Sequence, residues 1–357
     1  MQLPLDTRGK QQLDQIKLPG QSVAPAVAGN ITYRVLDNLS DIEAISGEWD
    51  LLLDQSPCNR AFSCSKWFLV SCSLNQSITP RVVVARRGDL IVGIFPLVLV
   101  NDAGIASFAS ELSDYNDIVA IENDHTLLAG LLEHAITNAD GYNRLILSRV
   151  RNDSNCLHAA RALNPGVDFE EVFTGSTQYV RLPASYEEYL NTRSGNFRKS
   201  LSRAQRNAEK HNLTICELEP ESFPPGRLPE VFLSLNLDRW GADSYYQLPF
   251  PQSFVLQLLP ELFSERRMRV FALMQEENLL GLDLCMVGRN SLCTWNGGFL
   301  ADSERWSPGN LLIAAGIKRA YDLNLAEYDL LRGNESYKAR WANRIRLLGR
   351  LEFDAQT

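Results

Sequence analysis

Two periods of hydrophobic and polar positions alternate along the chain. Residues 31–36 (Ile-Thr-Tyr-Arg-Val-Leu) alternate as a strand does, and Ile42, Ile45, Trp49, Leu52 and Leu53 then fall on one helical face. A second helix carrying Trp67, Phe68 and Val70 is expected after Ser63. Apolar runs at 81–85 and 90–100 flank a polar turn at 86–89, the pattern of a hairpin. A helix over 126–138 and a short strand over 143–148 follow.

The second half repeats this order. Strands are expected at 213–218, 269–274, 279–287 and 291–299, with helices at 228–240 and 252–264 before the hairpin. A helix over 308–323, a strand over 327–331, a helix through Tyr337 and Trp341 and a strand over 346–353 complete it. The segment from 299 to 327 is long enough to cross between parallel strands. RVVVARRGDLIVGIFPLVL and RVFALMQEENLLGLDLCMV are matching hairpins, each with a Gly early in its second strand, Gly93 and Gly281. Any two hairpins share some likeness, but the helices before them correspond too, which favours a duplicated domain. The pattern predicts an α+β fold: a tail over 1–30, a first domain over 31–182 and a second over 183–357.

Composition narrows the partners. Hydrophobic residues make up 45% and charged residues 22% of 357 residues, the balance of a soluble globular chain. A net charge of −8 disfavours general binding to DNA or RNA. The longest apolar run, 90–100, is too short to span a membrane, and the first thirty residues hold no apolar run like that of a signal peptide. With seven cysteines, an odd number, the expectation is reduced thiols and a cytoplasmic protein. Neither the cysteine nor the histidine spacings form a metal pattern, so no metal is expected.

The segment 186–210 lies between the halves. Phe197, Leu201, Ala204 and Ala208 share a helical face, and Arg193, Arg198, Lys199, Arg203, Arg206 and Lys210 crowd the others. This is either a solvated face over an apolar stripe or a face turned to an anionic ligand.

Two later segments carry chemistry. In 306–312 (Trp-Ser-Pro-Gly-Asn-Leu-Leu), Ser307 suits an N-cap, Pro308 the first helical position, and Gly309 leaves the backbone approachable. Such a helix start is a good cap, and it is also a cradle for a diphosphate. In 329–341 (DLLRGNESYKARW) a short strand ends, Gly333 turns, and a helix begins. Asp329 points either to solvent or to a cleft at the strand end. No GxGxxG or GxxxxGK[ST] motif is present.

YDLLRG at 328–333, SYKARW at 336–341 and SPGNLL at 307–312, with Arg239-Trp240 before the second hairpin, resemble the GNAT superfamily of acyltransferases. More narrowly they resemble its bacterial CelD-like branch, described with cellulose and exopolysaccharide biosynthesis. That branch is related to the Fem-type aminoacyl transferases, which hold two GNAT-like domains in one chain.

The resemblance implies tandem GNAT-like domains, each a mixed, mostly antiparallel sheet flanked by helices, with the chemistry in the second. It implies acyl-CoA, acetyl-CoA first, as co-substrate and an amino group of a sugar, amino acid or related small molecule as acceptor. Ser307, Pro308, Gly309 and Asn310 would bind the diphosphate, although Arg305, Ser307 and Gly309 reproduce the usual Gln/Arg-x-x-Gly-x-Gly/Ala loop only in part. Tyr337 would protonate the departing thiolate, and Lys338 would pair with a phosphate or with Asp329. A carboxylate is a suitable general base, and Asp283 and Asp329 are the two candidates. Arg239, Trp240, Trp295 and Asn296 would line the acceptor cleft, although tryptophans in such places are more often core residues. The alternatives are a Fem-type transferase using charged tRNA, or a scaffold that kept the fold without turnover.

Overall fold

Strands from both halves of the chain join one continuous mixed sheet, thirteen of them among the described residues. The computed structural model describes residues 30–56, 61–109, 112–121, 124–163 and 167–355, so the expected tail lies, Asn30 apart, outside the described residues. The first half comprises β1 (Ile31–Leu36), α1 (Leu39–Ala44), α2 (Ser46–Gln55), α3 (Ser65–Leu74), β2 (Ile78–Arg87), β3 (Leu90–Val100), β4 (Ile105–Phe108), β5 (Val119–Ala120), α4 (His125–Thr137), β6 (Arg144–Arg151), α5 (Asn155–Ala162) and β7 (Glu170–Arg181). Helices α6 (Tyr186–Asn191) and α7 (Gly195–Lys210) lead into the second half. There follow β8 (Leu213–Leu218), α8 (Leu228–Trp240), α9 (Pro249–Ser264), β9 (Met268–Gln275), β10 (Asn278–Val287), β11 (Ser291–Phe299), α10 (Pro308–Asp322), β12 (Glu327–Arg332), α11 (Ser336–Trp341) and β13 (Arg344–Asp354).

The strand order is β1-β2-β3-β4-β6-β13-β7-β12-β11-β10-β9-β8, with β5 paired to β3. Read from either edge inward, the order is the same pattern twice. Each half is mostly antiparallel, with one parallel pair, β4–β6 or β11–β12. α10 crosses between β11 and β12, as the length of 299–327 requires. The last strand of each half is exchanged: β13 lies against β6, and β7 lies against β12. The division expected at 182/183 falls between β7 and α6, and the sheet runs on without a break across it.

Hydrophobic periodicity accounts for the layers. On one face of the sheet, α1–α3 and α8–α9 share a single core, in which Trp67 of α3 meets Phe254 of α9 edge to face at 5.2 Å. On the other face, α4 and α5 cover the first half, and α7, α10 and α11 cover the second. α8 lies close over β11 because Gly298 has no side chain; a Cβ there would meet the α8 backbone at Asn236 at 2.9 Å. α9 starts at Pro249, three residues before its expected position, because proline is harmless in a first turn.

Candidate active site

β11 and β12 pair in parallel only through Ser291–Glu327, Leu292–Tyr328 and Cys293–Asp329, and then part. Crevices at the carboxyl ends of neighbouring parallel strands are where open α/β sheets bind ligands. α10 starts at that end, after a 3-10 turn over Ala301–Trp306. Its first turn offers amide N–H groups and the positive end of the helix dipole. Pro308 takes the first helical position as expected, but Ser307 does not cap with its hydroxyl. Ser307 is left-handed, with φ 57°, and its carbonyl accepts from the amides of Asn310 at 3.0 Å and Leu311 at 3.3 Å. A Cβ on Gly309 would meet no atom within 4 Å, so this turn faces open space. Asn310 Oδ1 accepts from Trp341 Nε1 at 3.3 Å and so ties α10 to α11.

The two carboxylates expected as bases are both built into the protein at the point where the strands part. Asp283 of β10 is 6% exposed. It accepts from Thr294 Oγ1 of β11 at 2.7 Å, and from Tyr328 OH of β12 and Cys285 Sγ at 3.4 Å each. Burial pushes its carboxyl up to about 6, against the pull of those hydrogen bonds. Asp329 is 0% exposed and points to neither solvent nor cleft. It pairs with Arg346 Nη1 at 3.0 Å and accepts from Tyr115 OH at 2.9 Å and from the Leu331 amide at 2.8 Å. Tyr328 and Asp329 are consecutive in one strand and so face opposite sides of the sheet. The carboxylates therefore bracket the parting strands from both faces. Lys338 does not reach Asp329. Its buried ammonium pairs with Glu335 at 3.1 Å and donates to the Arg332 carbonyl.

A native state that raises a carboxyl's pKa favours its protonated form, so that stability is lost as pH rises. A rise from 3.8 to about 6 corresponds to about 3 kcal/mol. Asp283→Asn cannot ionise, so its stability relative to wild type should improve by about 2–3 kcal/mol between pH 4 and pH 8. Urea unfolding at the two pH values checks this, and a constant difference would refute it.

Tyr337 lies half-buried in the first turn of α11, and burial pushes its hydroxyl up to about 12, so it is protonated at neutral pH. The charge of Arg239 acts on it. The Arg239 guanidinium lies 4.1 Å above the Phe299 ring and 4.6 Å above that of Trp240, which is 49% exposed and not a core residue. Trp295 instead packs on Trp67 of the first half at 5.3 Å and donates from Nε1 to the Leu112 carbonyl at 3.4 Å. Asn296 donates to Tyr246 OH. The structure thus groups Arg239, Tyr337 and the α10 start, and sets Trp295 and Asn296 on the side toward the first half.

Sequence reasoning named no residue of the first half at this site. Asp114 accepts from Arg332 Nε, at the end of β12, at 2.7 Å. Burial raises its carboxyl despite the cations Arg332, Lys338 and Arg149. Its neighbour Tyr115 bonds Asp329. The stretch around them, Ser113-Asp114-Tyr115-Asn116-Asp117, has no periodicity, and only the fold carries it to β12.

Residues 195–339 match the family model described as acetyltransferase (GNAT) domain. This part of the chain is a GNAT acyltransferase domain. No curated protein matches by sequence. Among solved structures, FemX is similar with a TM-score of 0.63 at 12% identity, over 90% of this chain and 97% of that one. The C-terminal domain of a protein described as a lysylphosphatidylglycerol synthetase from Agrobacterium fabrum gives 0.58 at 14%, over 88% and 92%. At these identities the likeness is one of fold, and it spans both halves.

Among the described residues, the first half differs from the second at the corresponding place. β4 and β6 also pair in parallel, but the chain itself lies at their carboxyl ends: the Asn116 amide donates to the Arg149 carbonyl at 3.2 Å and its side chain to the Ser148 carbonyl at 3.2 Å. The α4 start is capped by Asp124, which accepts from the Leu127 amide at 3.0 Å and pairs with Arg87 at 2.9 Å. A carboxylate there would repel a phosphate.

Proposed function

We propose that the protein is an acyl-CoA-dependent N-acyltransferase of the CelD-like branch, acting in the cytoplasm. It would transfer an acyl group, acetyl first, to an amino group of a sugar, amino acid or related small molecule. The observation that carries this reading is the open first turn of α10 at the mouth of the β11–β12 crevice. The segment Ser307–Asn310 holds the donor diphosphate on helix amides, and Arg239 and Arg305 add positive charge beside it. The thioester lies between the parting strands, where β11 beyond Cys293 no longer pairs with β12. The acceptor enters from the side of Trp295, Asn296, Tyr246 and Asp114.

The amine nitrogen attacks the thioester carbonyl carbon, and a C–N bond forms. The C–S bond then breaks, and the thiolate takes the Tyr337 proton. The proton lost from nitrogen goes to Asp114 or to water. Asp283 and Asp329 hold the strands that make the crevice. The first half supplies the acceptor wall and no donor site.

The test is direct. Acetyl-CoA should raise the melting temperature, since it binds only the folded chain. With an amine acceptor, thiol release should follow. Tyr337→Phe should lower kcat about 10-fold with KM for the donor unchanged. Equal rates would remove Tyr337 from the mechanism.

A second reading, transfer of an aminoacyl group from charged tRNA, is favoured by α7. Its cations Arg198, Lys199, Arg203, Arg206 and Lys210 form no ion pair among the described residues. Binding of tRNA that weakens steeply with salt, with no response to acetyl-CoA, would select it.

A further inference from the structure

We infer that Tyr115, a side chain of the first half, is a positioning residue for the acyltransferase crevice of the second: through Asp329 it fixes the turn at Leu331 that takes β12 away from β11. Leu331 is left-handed, with φ 60°, a backbone that L side chains rarely adopt, and it is buried in the core. Its amide is held by Asp329 Oδ1 at 2.8 Å. Asp329 is also the last residue of β12 paired with β11, so the group that holds the turn stands where the crevice begins. Tyr115 OH lies 3.0 Å from one Asp329 oxygen, 2.9 Å from the other, and 3.0 Å from Thr177 Oγ1. The ring is locked between Phe62, edge to face at 6.1 Å, and the Arg151 guanidinium at 5.2 Å. Asp114, one residue earlier, grips Arg332 just beyond the turn.

Two consecutive residues of the first half therefore clamp the crevice wall formed by residues 329–332. This gives the half without a donor site a direct hold on the half that has one. The inference rests on the proposed function only in placing the acyl donor between β11 and β12.

Tyr115→Phe removes the hydroxyl and keeps both ring contacts. Amide hydrogen exchange over residues 329–333 should quicken at least 10-fold, with exchange in β9 and β10 unchanged. The dissociation constant for acetyl-CoA should rise about 10-fold, while kcat at saturating donor stays within about 3-fold. Thr177→Val, which leaves the Tyr115–Asp329 contact in place, should change none of these. Unchanged exchange in Tyr115→Phe overturns the inference, as does faster exchange with unchanged acetyl-CoA affinity. So does an equal effect of Thr177→Val, which would mark general loosening of the core. Failure of the wild-type chain to bind acetyl-CoA would instead remove the donor reading. The exchange comparison alone would then decide whether Tyr115 holds the turn.

Discussion

Arg346→Met is expected to destabilise the protein by about 3–5 kcal/mol at pH 8, the cost of leaving the buried Asp329 carboxylate without its cation. Arg346 lies in β13, 5% exposed, and pairs with Glu327 at 2.7 Å, Asp329 at 3.0 Å and Asp153 at 3.5 Å. Its guanidinium also covers the Tyr179 ring at 4.2 Å. Methionine fills much of the volume and supplies no charge. Burial already raises the Asp329 carboxyl, and Arg346 is the strongest influence lowering it. In the variant the carboxyl rises further. A raised native pKa means stability is lost as pH rises, so the defect should be largest at pH 8 and smaller at pH 5, closer to the protonated form of Asp329. Urea unfolding at both pH values checks this. A defect that is equal at the two would mean that Asp329 is not the group left unpaired.

Gly309→Trp is expected to weaken acetyl-CoA binding at least about 100-fold, or about 2.7 kcal/mol, with the melting temperature changed by no more than about 2 °C. The indole has room, because nothing lies within 4 Å of a Cβ at this position, and the backbone there is helical. It would project from the helix start into the space assigned to the diphosphate. Replacing a helical glycine also removes a poor helix former, so the fold is not the casualty. Calorimetric titration with acetyl-CoA and a thermal melt separate the two effects. Unchanged affinity would remove the α10 start from donor binding.

The repeated hairpins, the helices before them and the crossover over 299–327 were legible in sequence, because amphipathic periods and turn residues are local signals. β7 was not: Glu-Glu-Val-Phe-Thr-Gly-Ser-Thr-Gln-Tyr-Val-Arg buries only Thr177 and Val180, too few positions for an alternation to show. The α10 start was legible because proline and glycine mark a helix entry wherever it occurs. Asp283 and Asp329 were visible as carboxylates among leucines, but their partners Thr294, Tyr328, Tyr115 and Arg346 come from other strands and from the other half. An isolated acid in a strand looks alike whether it is a base or part of a buried network. Asp114 carried no local mark, since its place beside Arg332 depends on how the two halves meet.

The exchanged strands bear on how the chain is made. β13 is synthesised after every other strand described, yet its place is between β6 and β7. At typical translation rates of about 5–20 residues per second, the ribosome needs about 10–40 s to travel from the end of β6 to β13. Through that interval the nascent first half carries an open β edge with nothing to zip onto it. The first half therefore reaches its finished neighbours only once the last described strand of the chain has left the ribosome.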